Sequence, residues 1–252
     1  MSNPSIHIRE GAVAFLDALG TKGIWARSEP EKYVESWELL LTDWKTYRQQ
    51  LCSDDSNIDT AIKAFSDTVI ITTSLKKKDD KTPVVETDRV VLHAARLIQP
   101  MVLSAITRGI YLRGVISIGK FYESDAAIIG PAVDEAAEWY TETEWIGVSA
   151  APTAHFVLEK LVEVGGELKE EVERFFVRYN IPTKTNTLEA GWVLNWPKIY
   201  KKIITPPGGM SVKAIILNRF AQNPISVSAI AKFNNTIKFI DHVMSADGHD
   251  AK

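Results

Sequence analysis

The 252-residue chain holds one cysteine, Cys52, which excludes an internal disulfide. A thiol with no partner reads as a buried structural residue in a reducing compartment. Basic residues are not in excess: 29 Lys and Arg stand against 32 Asp and Glu, a net charge of -3. That balance removes the electrostatic footprint of broad nucleic-acid binding, and no nucleic-acid partner is expected. Apolar runs stay short of the ~20 residues of a membrane span. The opening residues, Met1-Ser-Asn-Pro-Ser-Ile-His-Ile-Arg9, carry no signal-peptide stretch. No membrane partner and a cytoplasmic location are therefore expected. A phosphate-binding loop ending in Gly-Lys-Ser/Thr, a Cys/His zinc pattern and a Gly-x-Ser-x-Gly elbow are all missing. The five histidines, His7, His93, His155, His242 and His249, show no metal spacing, and none is expected to act in catalysis.

What remains is an ordinary globular composition, 45% apolar and 24% charged, long enough for a large core in one or two domains. Within it two aspartates stand out. Asp17 closes the apolar run Gly11-Ala-Val-Ala-Phe-Leu-Asp17, and Asp67 sits between two apolar runs in Ala61-Ile-Lys63-Ala-Phe-Ser-Asp67-Thr-Val-Ile-Ile-Thr72. Short runs rich in β-branched and aromatic residues read as buried strands. A carboxylate at the end of such a strand is costly unless a positive group meets it. Two of them on neighbouring strands suit a hard divalent cation, which prefers oxygen ligands. Each aspartate alone also fits a plain turn or cap role.

The periodicity predicts a strand over 11–17, a helix from Pro30 to about Leu51, and a hairpin of 58–65 and 68–75 turning at Ser66-Asp67. It predicts a solvated charged loop at Lys76–Lys81 and a second long helix over 86–108, bent at Pro100. A strand at 112–122, a short apolar segment at 126–129, a helix at 132–143, a strand at 145–148 and a helix from Pro152 to about Val164 follow. Hairpins alternating with helices indicate an α+β layer, helices covering an antiparallel sheet. Beyond Gly165-Gly166 the pattern reads as mostly helical, with a connector at 181–188 and a final amphipathic helix over 226–243. The expected division is a core of residues 1–164 and a helical extension of residues 165–252. The seven tryptophans fit core and interface packing better than base stacking.

The same residues resemble the motifs of class III nucleotidyl cyclases, in the family's order. Phe-x-Asp-Ile-x-Gly-Phe stands here as Phe15-Leu-Asp17-Ala-Leu-Gly20-Thr21. Ile-Lys-x-x-Gly-Asp stands as Ile62-Lys63-Ala-Phe-Ser-Asp67, and Arg-x-Gly-Ile-x-x-Gly as Arg113-Gly-Val-Ile-Ser-Ile-Gly119. The helix opening Gly-x-x-Val-Asn-x-Ala-x-Arg stands as Gly130-Pro-Ala-Val133-Asp134-Glu-Ala136-Ala-Glu138. Phe65-Ser-Asp67, Ile129-Gly-Pro-Ala-Val-Asp-Glu-Ala136, Asn195-Trp-Pro197 and Phe233-Asn-Asn-Thr-Ile-Lys-Phe239 are similar more narrowly to bacterial pyrimidine cyclases of Pycsar antiphage systems.

The resemblance implies a ferredoxin-like cyclase core and a head-to-tail homodimer with shared active sites. It implies that Asp17 and Asp67, with the backbone carbonyl of Ala18, hold two Mg²⁺ or Mn²⁺ ions. The amides from Ala18 through Leu19, Gly20 and Thr21 would cradle the phosphates. Lys63 would reach the base, or simply face solvent. At the second base-reading position stands Ala127, so an adenine-reading pair is incomplete. Asp134 replaces the asparagine that orients ribose, and Glu138 replaces the arginine that steadies the phosphate, a role a carboxylate cannot fill. Arg113 is the first candidate for the missing cation. In the shared site, residues 113 to 138 would come from the subunit opposite Asp17 and Asp67. The implied reaction converts UTP, or CTP, to a 3′,5′-cyclic nucleotide that a separate effector protein reads. An adenylate or guanylate cyclase and a non-catalytic nucleotide-binding homologue are the alternatives.

Overall fold

The structure is a computed structural model that describes residues 7–19, 30–54, 57–76, 84–185, 187–203, 210–222 and 229–246. The strands are β1 (Ile8–Leu19), β2 (Ile58–Phe65), β3 (Thr68–Leu75), β4 (Tyr111–Glu123), β5 (Ile128–Ile129), β6 (Gly147–Ala150), β7 (Phe176–Pro182) and β8 (Thr187–Leu194). The helices are α1 (Pro30–Asp54), α2 (Val84–Asp88), α3 (Val90–Thr107), α4 (Pro131–Glu142), α5 (Pro152–Val164), α6 (Gly166–Phe175), α7 (Trp196–Ile203), α8 (Val212–Gln222) and α9 (Ile230–Ala246). All strands join one sheet in the order β2-β3-β1-β4-β6-β8-β7, with β5 added to β4.

The α+β expectation holds, with two differences. The sheet is mixed, because β4 and β6 run parallel from Arg113↔Gly147 to Ile116↔Ala150. Parallel neighbours need a crossover connection, and α4 supplies it. The segment after residue 165 is not only helix. It contributes the antiparallel pair β7–β8, which reaches the rest of the sheet through Ser149↔Val193. Within the expected connector at 181–188, Ile181 pairs with Leu188 and Pro182 with Thr187 as the ladder ends of this hairpin.

Alternation along the strands sorts the two faces. Ala12, Ala14, Leu16 and Ala18 of β1 join Val69, Ile71, Leu112 and Ile116 in the main core, packed against α1, α3, α5, α7 and α9. Helix α3 is buried along nearly its whole length, and Pro100 lies inside it without ending it. The stretch Glu86–Thr107 is long and apolar enough to cross a membrane by length and composition alone, but most of it is buried inside the fold. The opposite face carries a smaller cluster, Val13, Phe121, Ala132, Val133 and Ala136, flanked by Phe15 and Ile70 and covered by α4. Trp44, Trp145, Trp192 and Trp196 are buried in the main core. Cys52 lies in α1, its side chain outside the described residues, as are most of the charged stretch 76–81, Gly20 and Thr21.

Candidate active site

The β2–β3 hairpin closes on Phe65↔Thr68, so Ser66 and Asp67 are a two-residue turn. Ser66 takes φ 57°, the left-handed region that the resembling motif fills with glycine. Strand β1 pairs with β3 on one side and β4 on the other. Asp17 therefore lies between Thr68 and Arg113 at the end of the sheet. The amide of Ala18 donates to the carbonyl of Asp67 at 2.9 Å, pinning the turn to the strand. Sequence reasoning brought the two aspartates to one place, and the ladder register does the same.

Arg113 is directly opposite Asp17 in the β1–β4 ladder, so both side chains leave the same sheet face. Its Nε donates to Asp17 Oδ2 at 3.2 Å, and the two side chains are only 16% and 15% exposed. Nη1 donates to the Thr143 carbonyl at 3.4 Å. The guanidinium lies 5.3 Å from the centre of the Tyr140 ring, which in turn stacks on Phe15 at 4.8 Å. This corrects the expected placement of Arg113 across a subunit boundary: it meets Asp17 within one chain. Burial pushes the Asp17 carboxyl above its ordinary value. Arg113 pulls it back, and the neighbouring Asp67 carboxylate adds to the rise.

Two tyrosines that the sequence reading passed over flank the pair. The phenol of Tyr33, at the start of α1, is buried with no hydrogen-bond partner among the described residues. Burial, then Asp67 and Asp17, push it up to about 12. Tyr140, near the end of α4, is raised by burial and by Asp17. Neither had a distinguishing signal. Tyr33 leads the aromatic series Tyr33, Trp37, Trp44, which stacks as core packing does.

The end of α4 is held from the unexpected hairpin. Thr143 bridges Thr183, the Glu144 amide donates to Pro182, and the Lys184 amide donates to Glu142. Lys232 of α9 pairs with Glu144 at 2.8 Å. The β7–β8 turn and α9 thus fix the height at which Tyr140 and Thr143 meet Arg113.

Other expected site residues lie elsewhere or are already engaged. Lys63 donates to the Ser124 carbonyl and lies 3.8 Å from Glu123, so its ammonium is directed at the β4–β5 turn. The Ala18 amide donates to the Asp67 carbonyl, and Leu19 ends the ladder opposite Tyr111. Gly20 and Thr21 lie outside the described residues. Asp134 and Glu138 are exposed on the outer side of α4.

No group of three or more His, Cys, Asp or Glu side chains placed to hold a metal ion occurs among the described residues. A cation here would rest on Asp17, Asp67 and backbone oxygen. The donor chemistry is of the kind hard divalent ions prefer: two neighbouring carboxylates, one of them desolvated and raised further by the other's charge, gain from a cation.

No family model and no curated protein matches the chain. Among solved structures it is similar to the monomeric guanylyl cyclase domain of a RhoGC fusion protein from the aquatic fungus Blastocladiella emersonii. The identity is 12%, the match covers 75% of this chain and 97% of that one, and the TM-score is 0.48. It is similar to the adenylyl cyclase CyaB from P. aeruginosa at 14% identity, 76% and 96% coverage and TM-score 0.46. An adenylate/guanylate cyclase/hydrolase from Silicibacter pomeroyi matches at 18% identity, 75% and 98% coverage and TM-score 0.43.

Proposed function

We propose that the chain is a divalent-cation-dependent class III nucleotide cyclase converting UTP, in preference to CTP, to the 3′,5′-cyclic nucleotide and pyrophosphate. The observation that carries this reading is the meeting of Asp17 and Asp67 at one end of the sheet, with the family's motifs in order around them. The ribose 3′ oxygen attacks the α-phosphorus, the hydroxyl proton is released, and the bond to pyrophosphate breaks. Such transfer needs positioning and charge neutralisation more than covalent help. Asp17 and Asp67, with the Ala18 carbonyl, would hold the Mg²⁺ or Mn²⁺ ions, two per site by the resemblance. When bound, these lower the pKa of the attacking hydroxyl and balance charge on the phosphates.

The chain's own part is to fix the carboxylates. The Ala18–Asp67 bond holds the turn, and the cross-strand Arg113 holds Asp17 while no cation is bound. Arg113 would also supply a positive charge beside the site, the role left open by Glu138. The pyrimidine preference is supported by Ala127, which has no polar side-chain atom and leaves an adenine-reading pair incomplete. The proposed assembly is a head-to-tail homodimer in which the exposed Asp134 of one subunit meets the ribose held at Asp17 and Asp67 of the other. The cyclic product would signal to a separate effector in antiphage defence in the cytoplasm.

A second reading, a nucleotide-binding homologue without turnover, is favoured by one observation: Asp17 is already paired with Arg113, while Glu138 stands where an arginine would act. Incubating the purified protein with each ribonucleoside triphosphate and Mn²⁺ separates the readings by mass spectrometry. Cyclic UMP is expected. A cyclic purine points to an adenylate or guanylate cyclase, and binding without any cyclic product to the second reading.

A further inference from the structure

Arg113 holds Asp17 with one contact and is itself held by two others. Nε meets Asp17 Oδ2, Nη1 meets the Thr143 carbonyl, and the guanidinium faces the Tyr140 ring. The last two contacts do not involve a carboxylate. Thr143 is 1% exposed, and its hydroxyl donates to the Tyr140 carbonyl at 3.2 Å. Phe15 backs the Tyr140 ring. The guanidinium therefore has a fixed resting place whether or not Asp17 is available to it.

We propose that Arg113 is a built-in competitor of the divalent cation at Asp17. The ion and the guanidinium use the same carboxylate by turns, and Tyr140 with Thr143 keeps the displaced guanidinium beside the site. The inference rests on the reading that Asp17 and Asp67 take a hard divalent ion, and extends it to how tightly they do so. An arginine does not lose its proton at any working pH, so it yields the carboxylate only by moving. A cation entering beside an unmoved guanidinium meets like-charge repulsion at a poorly solvated site. Breaking the Arg113–Asp17 bond is thus part of cation binding, and the bare protein binds the cation weakly. Tyr140 is a positioning residue in this scheme, acting through Arg113.

The test is the affinity of the full chain for Mn²⁺ alone, near neutral pH, by calorimetry or by the spin-resonance signal of free Mn²⁺. Arg113→Met keeps the unbranched stem of the side chain and removes its charge; it should bind Mn²⁺ at least about tenfold more tightly than wild type. Arg113→Lys, which keeps the charge, should stay near wild type, and Asp17→Asn should lose binding. Arg113→Met binding no more tightly than wild type, with Asp17→Asn still losing the ion, overturns the competition and leaves the metal reading standing. Failure of both wild type and Arg113→Met to bind Mn²⁺ overturns the metal reading and the competition together. Should Arg113→Met not fold, the Nε–H resonance of Arg113 in the wild-type protein decides. It should shift and exchange faster with water as Mg²⁺ is added, and an unchanged resonance with Mg²⁺ bound overturns the proposal.

Discussion

The amide of Ala18 donates to the carbonyl of Asp67 at 2.9 Å, one residue beyond the last paired position, Asp17↔Thr68. The strand that carries one carboxylate thereby grips the turn that carries the other. Side-chain proximity at this site is set by backbone hydrogen bonds, which side-chain substitutions leave in place.

The turn itself is strained. Ser66 adopts a positive φ that a side chain disfavours by about 1–2 kcal/mol. Ser66→Gly should relieve this and raise stability by about 0.5–1 kcal/mol after the added chain entropy of glycine. Ser66→Val should lower it. Urea unfolding with an unchanged m-value is the measurement; a destabilised Ser66→Gly would show that the turn geometry is wrong.

Two carboxyls give opposite pH signatures. Asp17 is raised above 3.8 by burial, so the folded chain holds this proton to higher pH than the unfolded chain does. Its contribution is most favourable at or below 3.8 and is lost as pH rises through the raised native value. At Asp43 burial also acts upward, but hydrogen bonds from Arg108 and Ser104 outweigh it and lower the native value. Asp43 stabilises above 3.8, and that contribution is lost as pH falls below it. Subtracting the stability of Asp17→Asn from that of wild type should give a difference that falls as pH rises from 3.8. The same subtraction for Asp43→Asn should give one that falls as pH drops below 3.8. A flat difference for Asp17 would contradict its desolvation.

Gly114 follows Arg113 and presses on β1. A Cβ there would come 2.5 Å from the Phe15 carbonyl oxygen and 2.4 Å from Leu16 Cδ2. Backbone oxygen cannot rotate away, so Gly114→Ala should cost about 2–3 kcal/mol. It should also loosen the Asp17–Arg113 pair next to it, which the Arg113 Nε–H exchange rate would register.

Much of this site was legible because it depends on local pattern. Ser66-Asp67 between two apolar runs reads as a hairpin turn, and Pro152 to Val164 is bounded by proline and glycine. The β7–β8 hairpin was not legible. Helix α6 runs straight into β7 at Phe176 with no turn residue between them, and the first half of β8 is exposed. Its role, holding the end of α4 and with it Tyr140 and Thr143, is purely tertiary. The Asp17–Arg113 pair was hidden for the same reason. Both residues were singled out, but only the β1–β4 register, set over residues 96 apart in sequence, shows that they face each other.

With Arg113 meeting Asp17 within one chain, the residues that would reach across the proposed dimer are those on the outer side of α4. Mixing Asp17→Ala with Asp134→Ala protein should restore activity, because one composite site keeps both side chains. Inactive mixtures, with heterodimers demonstrated, would count against shared sites.

The most direct measurement is Mn²⁺-dependent formation of cyclic UMP by wild-type protein beside Asp17→Ala and Asp67→Ala, each confirmed folded by its circular dichroism. Product is expected from the wild type, with a loss of at least about 10³-fold in either variant, since each would remove a carboxylate proposed to hold the cation that neutralises the transition-state charge. Normal turnover in either variant, or no cyclic nucleotide from the wild type with any of the ribonucleoside triphosphates, would contradict it.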